Sequence, residues 1–462
     1  MSKKRRGVLE SIAHGSTQIM QKYLPDAYIF AAVLTFIVFI AVMIVTKQSF
    51  ITACKHWGNG VWSLLDFSMQ MVLVLVTGHV LALAPPFRKL LDVLSDIPKT
   101  ATQGIILVTI ISYIANILNW GFGLVIGAIF AKEIAKKIKN IDYRLLIASA
   151  YSGFVLWHAG FSGSIPLTLA GGDLKATGGS LAEAVPTSQT LFSGYNLFIV
   201  LVTLIVLPII NALMHPKDEA DIISVDPNLL QDFEVKKITK EDFAKMTPAE
   251  KLENSIIVNL LMFIIGFVYI IIYFTSSGKV DLNLNIVNLI FLMLGIILHK
   301  TPRSLINAFQ EATKGASGIV LQFPLYAGIM GLMKGVSAQT GTSLAIELSN
   351  VFVNISNKTT FPLFTFLSGG IVNFFVPSGG GQWAVQGPIM MPAAAKIGVD
   401  PAKAAMAIAY GDSWTNMIQP FWALPALGIA KLGARDIMGY TLIVLVVVGI
   451  IITAGLLIPF PS

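Results

Sequence analysis

Asn373 to Pro392 read NFFVPSGGGQWAVQGPIMMP, which places Pro377, the glycine run Gly379, Gly380 and Gly381, two glutamines and the Gly387-Pro388 pair inside an apolar region. No straight lipid-facing helix tolerates that composition. Each freed N–H or C=O in hydrocarbon costs several kcal/mol unless protein or trapped water satisfies it. The apolar arms on either side, Phe361 to Phe375 and Trp383 to Ala395, are each shorter than the roughly 20 residues of a spanning helix. They read as a re-entrant hairpin with its Ser378 to Gln382 tip at mid-membrane, backbone groups turned into a cavity.

The surrounding composition supports a membrane setting. Of 462 residues, 55% are hydrophobic and 12% charged, with a mean hydropathy of +0.74. A soluble domain carries about 25% charged residues. The expected class is therefore an all-α polytopic membrane protein. The net charge of +7 comes from Lys and Arg at the ends of apolar spans, which orients helices and argues against nucleic acid as a partner. A single cysteine, Cys54, excludes an intrachain disulfide and a cysteine metal cluster. Lys3, Lys4, Arg5 and Arg6 precede an amphipathic stretch without a cleavage signature, so the N-terminus is expected to be retained and cytoplasmic.

In chain order, residues 1–214 form a first unit: a span from Tyr28 to Thr46, a return from Trp62 to Ala84, a hairpin at about 102–135 broken at Asn119 to Gly123, a broken helix at 144–170, and a span from Thr190 to Met214. Both ends of the first hairpin meet basic clusters, so it enters and leaves on one side. Residues 215–282 form an acid-rich, solvated linker and one connecting span. Residues 283–462 form a second unit, with a short surface helix from Thr342 to Ile355, the hairpin at 361–395, a broken helix at 402–430 and a last span.

The units share landmarks. Ala148, Ala150, Tyr151 and Pro166 recur as Ala407, Ala409, Tyr410 and Pro425 (410 − 151 = 425 − 166 = 259), and Asn116 and Gly123 match Asn373 and Gly380 (373 − 116 = 257). The single connecting span starts the second unit on the opposite face. The pattern is an inverted repeat with two re-entrant hairpins and two broken transmembrane helices, the arrangement of secondary transporters with a midplane site.

WGNGVWSLLDFSMQM (Trp57 to Met71), the following TGHVLALAPP, and NFFVPSGGGQWAVQGPIMMPAA together resemble the short-chain fatty acid transporter family, over nearly the whole chain. The resemblance implies uptake of short carboxylates such as acetoacetate or butyrate. Within the wider group of ion-transporter folds it also implies an elevator mechanism and a homodimer.

A small monocarboxylate needs positive potential it can also leave, and the spans hold no central Lys or Arg. Helix N-termini supply it instead. Ser378, Gly379, Gly380, Gly381 and Gln382, with Asn373 and Trp383, are the expected substrate contacts, and Asn119, Gly121 and Gly123 are their counterparts at the first tip. The alternative is a glycine turn that only packs. Asp412, Ser413, Thr415 and Asn416 cluster in one intramembrane turn and a half, and an ionisable group there is costly and usually functional. Asp412 reads as a proton carrier or, beside Asn373, Ser413 and Thr415, as part of a sodium site of hard oxygens. A cap on the restarted half-helix is the structural alternative. His158 is a second proton candidate, or a satisfied buried histidine, with Ser162 and Ser164 at the Gly-Ser breaks beside it. Trp57, Trp62 and Trp120 read as interfacial belt residues, while Trp383 and Trp414 are placed to touch an acyl chain.

These residues describe a carrier of short carboxylates coupled to H+ or Na+, without a cofactor, in the lipid bilayer of a bacterial inner membrane. The alternatives are a sodium-coupled carrier of other small organic anions, a channel, and a membrane-embedded enzyme, against which stands the lack of any nucleophile or HExxH motif.

Overall fold

The computed structural model describes residues 7–225, 240–276 and 284–460. Asp232 and Glu234 of the acid-rich linker lie outside them. Among the described residues there is helix and no strand, and eight helical stretches are long and apolar enough to cross a membrane. The chain is thus a multi-pass membrane protein.

Most ends follow from local chemistry. Asp26 caps Ala27–Val45 by accepting from Tyr28 N–H at 2.9 Å. The return span expected from Trp62 to Ala84 is the helix Leu65–Leu83, and the WGNGVW just before it carries the end of another helix, Phe50–Gly60, and a turn. Pro85 and Pro86 start a new helix, Pro85–Ser95, at the position where a missing N–H costs nothing. Ile256–Ser276 buries only Asn259, whose amide donates to Ile296 O at 3.0 Å. It is therefore a peripheral span leaning on the neighbouring helix Leu284–His299.

Two helical hairpins stand where the chain breaks. The first joins Ala101–Leu118 to Trp120–Lys137 through the single extended residue Asn119, and the second joins Phe361–Asn373 to Gly379–Ile397 through residues 374–378. Their caps match: Asn119 has φ −155° and ψ 119°, and Ser378 has φ −156° and ψ 113°. The two caps are 259 residues apart (378 − 119), the offset that separates Tyr151 from Tyr410.

Each broken segment packs its first half-helix on the first arm of its own hairpin. Tyr143–Ser152 gives way to a 3-10 turn at Trp157–Ala159 and then Ser164–Ala170, while Pro401–Thr415 is followed by Phe421–Ala423 and Leu424–Ala430. A Cβ on Gly153 would stand 2.6 Å from Tyr113 N, and one on Gly411 would stand 2.7 Å from Gly369 Cα. These are backbone contacts that cannot yield cheaply. Gly411→Ala should therefore lower stability by about 1–3 kcal/mol, read as a lower unfolding temperature in detergent. A variant melting like the parent would show that the half-helix and the hairpin arm can separate without loss.

The short helix expected between Thr342 and Ile355 is Leu344–Asn354, with Val351 exposed on its outer face. It buries Leu344, Ala345 and Ser349 against the second hairpin, and Gln386 donates to Ser349 Oγ at 3.3 Å and to Ser368 Oγ at 3.0 Å.

After the span Gly194–Leu213 the chain is strapped to Asp142. That buried carboxylate accepts from Leu145 N–H and from Ile223 N–H, each at 2.9 Å, while Asp142 N–H donates to His215 Nε2 at 3.1 Å. The accepting imidazole is neutral, and burial holds its pKa below the ordinary 6.5. Below about pH 6.5 the released strap takes a proton that the bound strap refuses, so the strap is firmest above that pH and loosens as pH falls. Limited proteolysis within residues 215–225 should accelerate between about pH 8 and about pH 5.5; a flat rate would remove His215 from the clasp.

Candidate functional site

The two broken segments meet at a buried pair. His158 Nε2 lies 2.7 Å from Asp412 Oδ2, and both side chains have zero exposure. Neither His158 Nδ1 nor Asp412 Oδ1 has a hydrogen-bond partner among the described residues. A lone buried carboxylate is expensive. Here one imidazole offsets that cost and leaves each group one free position.

The second hairpin tip touches this pair. A Cβ on Gly379 would fall 2.5 Å from His158 Nε2 and 3.0 Å from the Trp157 ring, so glycine is what lets the helix start against the imidazole. Gly380 is exposed, and a Cβ there would meet nothing within 4 Å. Ser378 Oγ caps Gly381 N–H at 3.3 Å, while the N–H groups of Gly379 and Gly380 have no partner among the described residues. At the first tip Asn119 Oδ1 caps Phe122 N–H as Ser378 caps Gly381 N–H, and one of the two remaining donors is taken, Ser162 Oγ accepting from Trp120 N–H, each at 3.0 Å, while the N–H of the buried Gly121 has no partner among the described residues. Two similar hairpins thus differ chemically. The first keeps one free donor, at the buried Gly121, and the second presents two, beside open space and an ionisable pair.

The remaining expected residues sort around this centre. Asn373 Nδ2 donates to Thr415 Oγ1 at 3.0 Å and Asn416 Oδ1 at 2.7 Å, leaving Asn373 Oδ1 without a partner. Ser413 stands apart from them, its hydroxyl bonded to Tyr410 O at 3.2 Å. Gln382 ties the hairpin arms, donating to Gly369 O and Gln386 Oε1 at 2.8 Å each. Gly123 lies against the backbone of Asn116, and Gly121 is buried at the first tip. Ser164 opens its short helix away from the pair's hydrogen bonds. Among the described residues no three His, Cys, Asp or Glu side chains group as a metal site.

The tryptophans are where the sequence reading fails most. Trp120 is buried, not interfacial; its ring centroid lies 5.0 Å from Trp422 and 5.7 Å from Trp157, which stacks on His158 at 3.6 Å. Trp57 packs against Gly328, and only Trp62 is largely exposed. Trp414 turns from the site and donates to Leu445 O at 2.6 Å. Trp383 is buried with its indole N–H unpartnered, as are those of Trp157 and Trp422. Sequence reasoning also passed over Asn196, which accepts the Tyr410 hydroxyl at 2.6 Å, while the Tyr151 hydroxyl donates to Asn416 O at 2.7 Å. The repeated tyrosines were the available signal: each bonds into the other unit.

Comparison with known proteins agrees over the full length. The sequence profile of the short chain fatty acid transporter family matches residues 8–458. A protein of Escherichia coli (strain K12) whose name places it among short-chain fatty acid transporters is 44% identical over 454 residues, covering 96% of this chain and 98% of its own. One so named from Haemophilus influenzae is 45% identical, over 97% and 99%. Among solved structures, the YdaH transporter of Alcanivorax borkumensis aligns over 94% of this chain and 98% of its own at 15% identity, with a TM-score of 0.45.

Proposed function

The chain belongs to the short-chain fatty acid transporter family, whose members are transporters and not enzymes, and from that premise we propose that it accumulates short monocarboxylates across a bacterial inner membrane using an ion gradient. The observation that carries this reading is the adjacency of Gly379 to the His158–Asp412 pair. The carboxylate of an acetoacetate- or butyrate-like substrate accepts from the free N–H groups of Gly379 and Gly380, at the positive end of a helix dipole. Its short tail lies towards Trp157 and Trp383. The anion then sits beside a pair whose charge depends on a bound ion, which makes each one's affinity depend on the other.

The coupling ion in this reading is the proton, held between Asp412 and His158. A second reading, sodium, is favoured by one observation, the unpartnered Asn373 Oδ1 beside Thr415 and Asn416, oxygens of the kind a hard cation takes. The hairpins enter from opposite faces as parts of an inverted repeat, the N-terminus is cytoplasmic, and the unit of hairpins and broken segments moves as an elevator within a homodimer. Purified protein in vesicles, given labelled butyrate or acetoacetate and proton and sodium gradients imposed separately, tests the proposal. Accumulation under one gradient is expected. Equilibration without accumulation under either would leave a uniporter or channel and refute coupling.

A further inference from the structure

We propose that a cavity between Phe50–Gly60 and the end of Ser317–Lys334 is a capture site for the anionic substrate, with Lys334 as its attracting charge. This rests on the reading of the substrate as a small carboxylate. The cavity measures about 400 Å³ and is lined by His56, Asn59, Ser63, Met330 and Lys334 among others, within the size range of small-molecule sites.

Its construction follows from glycines that let two helices touch. A Cβ on Gly60 would stand 2.8 Å from Gly331 Cα, and one on Gly335 would stand 2.5 Å from the His56 ring. The helices touch at that crossing, and the cavity beside it is lined by His56, Asn59, Ser63 and Lys334 together with Met330 and Val336. No acidic side chain lines it, and Lys334 makes no ion pair among the described residues. His56 Nε2 is buried and unpartnered. The lining offers an ammonium, an imidazole, an amide and a hydroxyl, the groups that receive a carboxylate. A lysine suits capture because its ammonium is a strongly hydrated point charge that lacks the fork with which arginine grips both carboxylate oxygens.

The cavity also borders the hairpin. Met330 lines it, and a Cβ on Gly381 would stand 3.1 Å from Met330 Cε. Met330 thus touches both the cavity beside Lys334 and the tip that carries the free Gly379 and Gly380 donors. Charge in an open cleft raises the local concentration of an oppositely charged solute, which speeds association without changing the later steps.

The test uses full-length protein in vesicles. Cys54 is the only cysteine and is exposed, so Cys54→Ala gives a background on which Lys334→Cys carries one reactive thiol. Lys334→Cys should raise KM for labelled butyrate roughly tenfold at low salt with the maximal rate kept. A cationic methanethiosulfonate reagent should restore KM, and an anionic one of similar size should raise it further. Equal rescue by both reagents, or an unchanged KM, overturns the proposal. Where the cysteine variant fails to reach the membrane, Lys334→Met preserves the length of the stem and gives the same readout, a wild-type KM again being fatal. Uptake by the Cys54→Ala background separates the two claims: without it the carboxylate reading itself falls, and with it a flat response at Lys334 removes only the capture site.

Discussion

Asp412→Asn should bring the accumulation ratio of labelled butyrate in gradient-loaded vesicles to about 1, because substrate and ion then no longer share a coupling free energy. Exchange of internal for external butyrate should continue. The carboxamide has the volume of the carboxylate and can still hydrogen-bond His158, now 2.7 Å from Asp412 Oδ2, so packing around this fully buried position is kept. What disappears is the capacity to gain or lose a charge. Removing the other partner is a poorer experiment: His158→Ala would leave a buried carboxylate unpaired, which costs about 3–5 kcal/mol and confounds transport with folding. His158→Gln avoids that and should mirror Asp412→Asn. Gradient-driven accumulation by Asp412→Asn at the parental ratio would take the pair out of the mechanism and leave the Asn373–Thr415–Asn416 cluster as the place to look.

The breaks were legible because glycine and proline announce themselves in an apolar background. Gly379 to Gly381 mark the second tip and Asn119 to Gly123 the first, and the cap residues there, Ser378 and Asn119, have nearly identical backbone geometry. Asp412 and His158 were each conspicuous as ionisable groups in spans. Their pairing was not legible, since they are 254 residues apart in sequence and nothing in either local pattern names the other. The tryptophans misled for a related reason. An indole at the end of an apolar run has the same sequence context whether it meets headgroups or another helix, and Trp120 meets Trp157 and Trp422. The difference between the two tips was equally hidden. Ser162 lies 42 residues after the Trp120 N–H it caps, and no local pattern announces that it takes one of the first tip's donors.

Gly380→Leu tests what that difference is for, and should weaken butyrate binding at least about tenfold, the equivalent of 1.4 kcal/mol. A Cβ at residue 380 meets nothing within 4 Å, so Gly380→Ala should fold and melt like the parent, with at most the roughly 1 kcal/mol gain of replacing glycine inside a helix. The leucine side chain instead fills the space that the free N–H groups of Gly379 and Gly380 face. It has no cavity of its own to occupy, so it displaces whatever binds there. Gly379→Ala is the contrasting variant: its Cβ strikes His158 Nε2 at 2.5 Å, so it should disturb the ion pair and lose both accumulation and stability. Affinity loss in Gly380→Leu with stability retained, set against stability loss in Gly379→Ala, is the pattern expected of an anion seat built beside an ion switch. If Gly380→Leu binds butyrate with parental affinity while folding normally, the open space at the tip serves movement of the hairpin, and the anion must be held by the buried indoles of Trp157, Trp383 and Trp422.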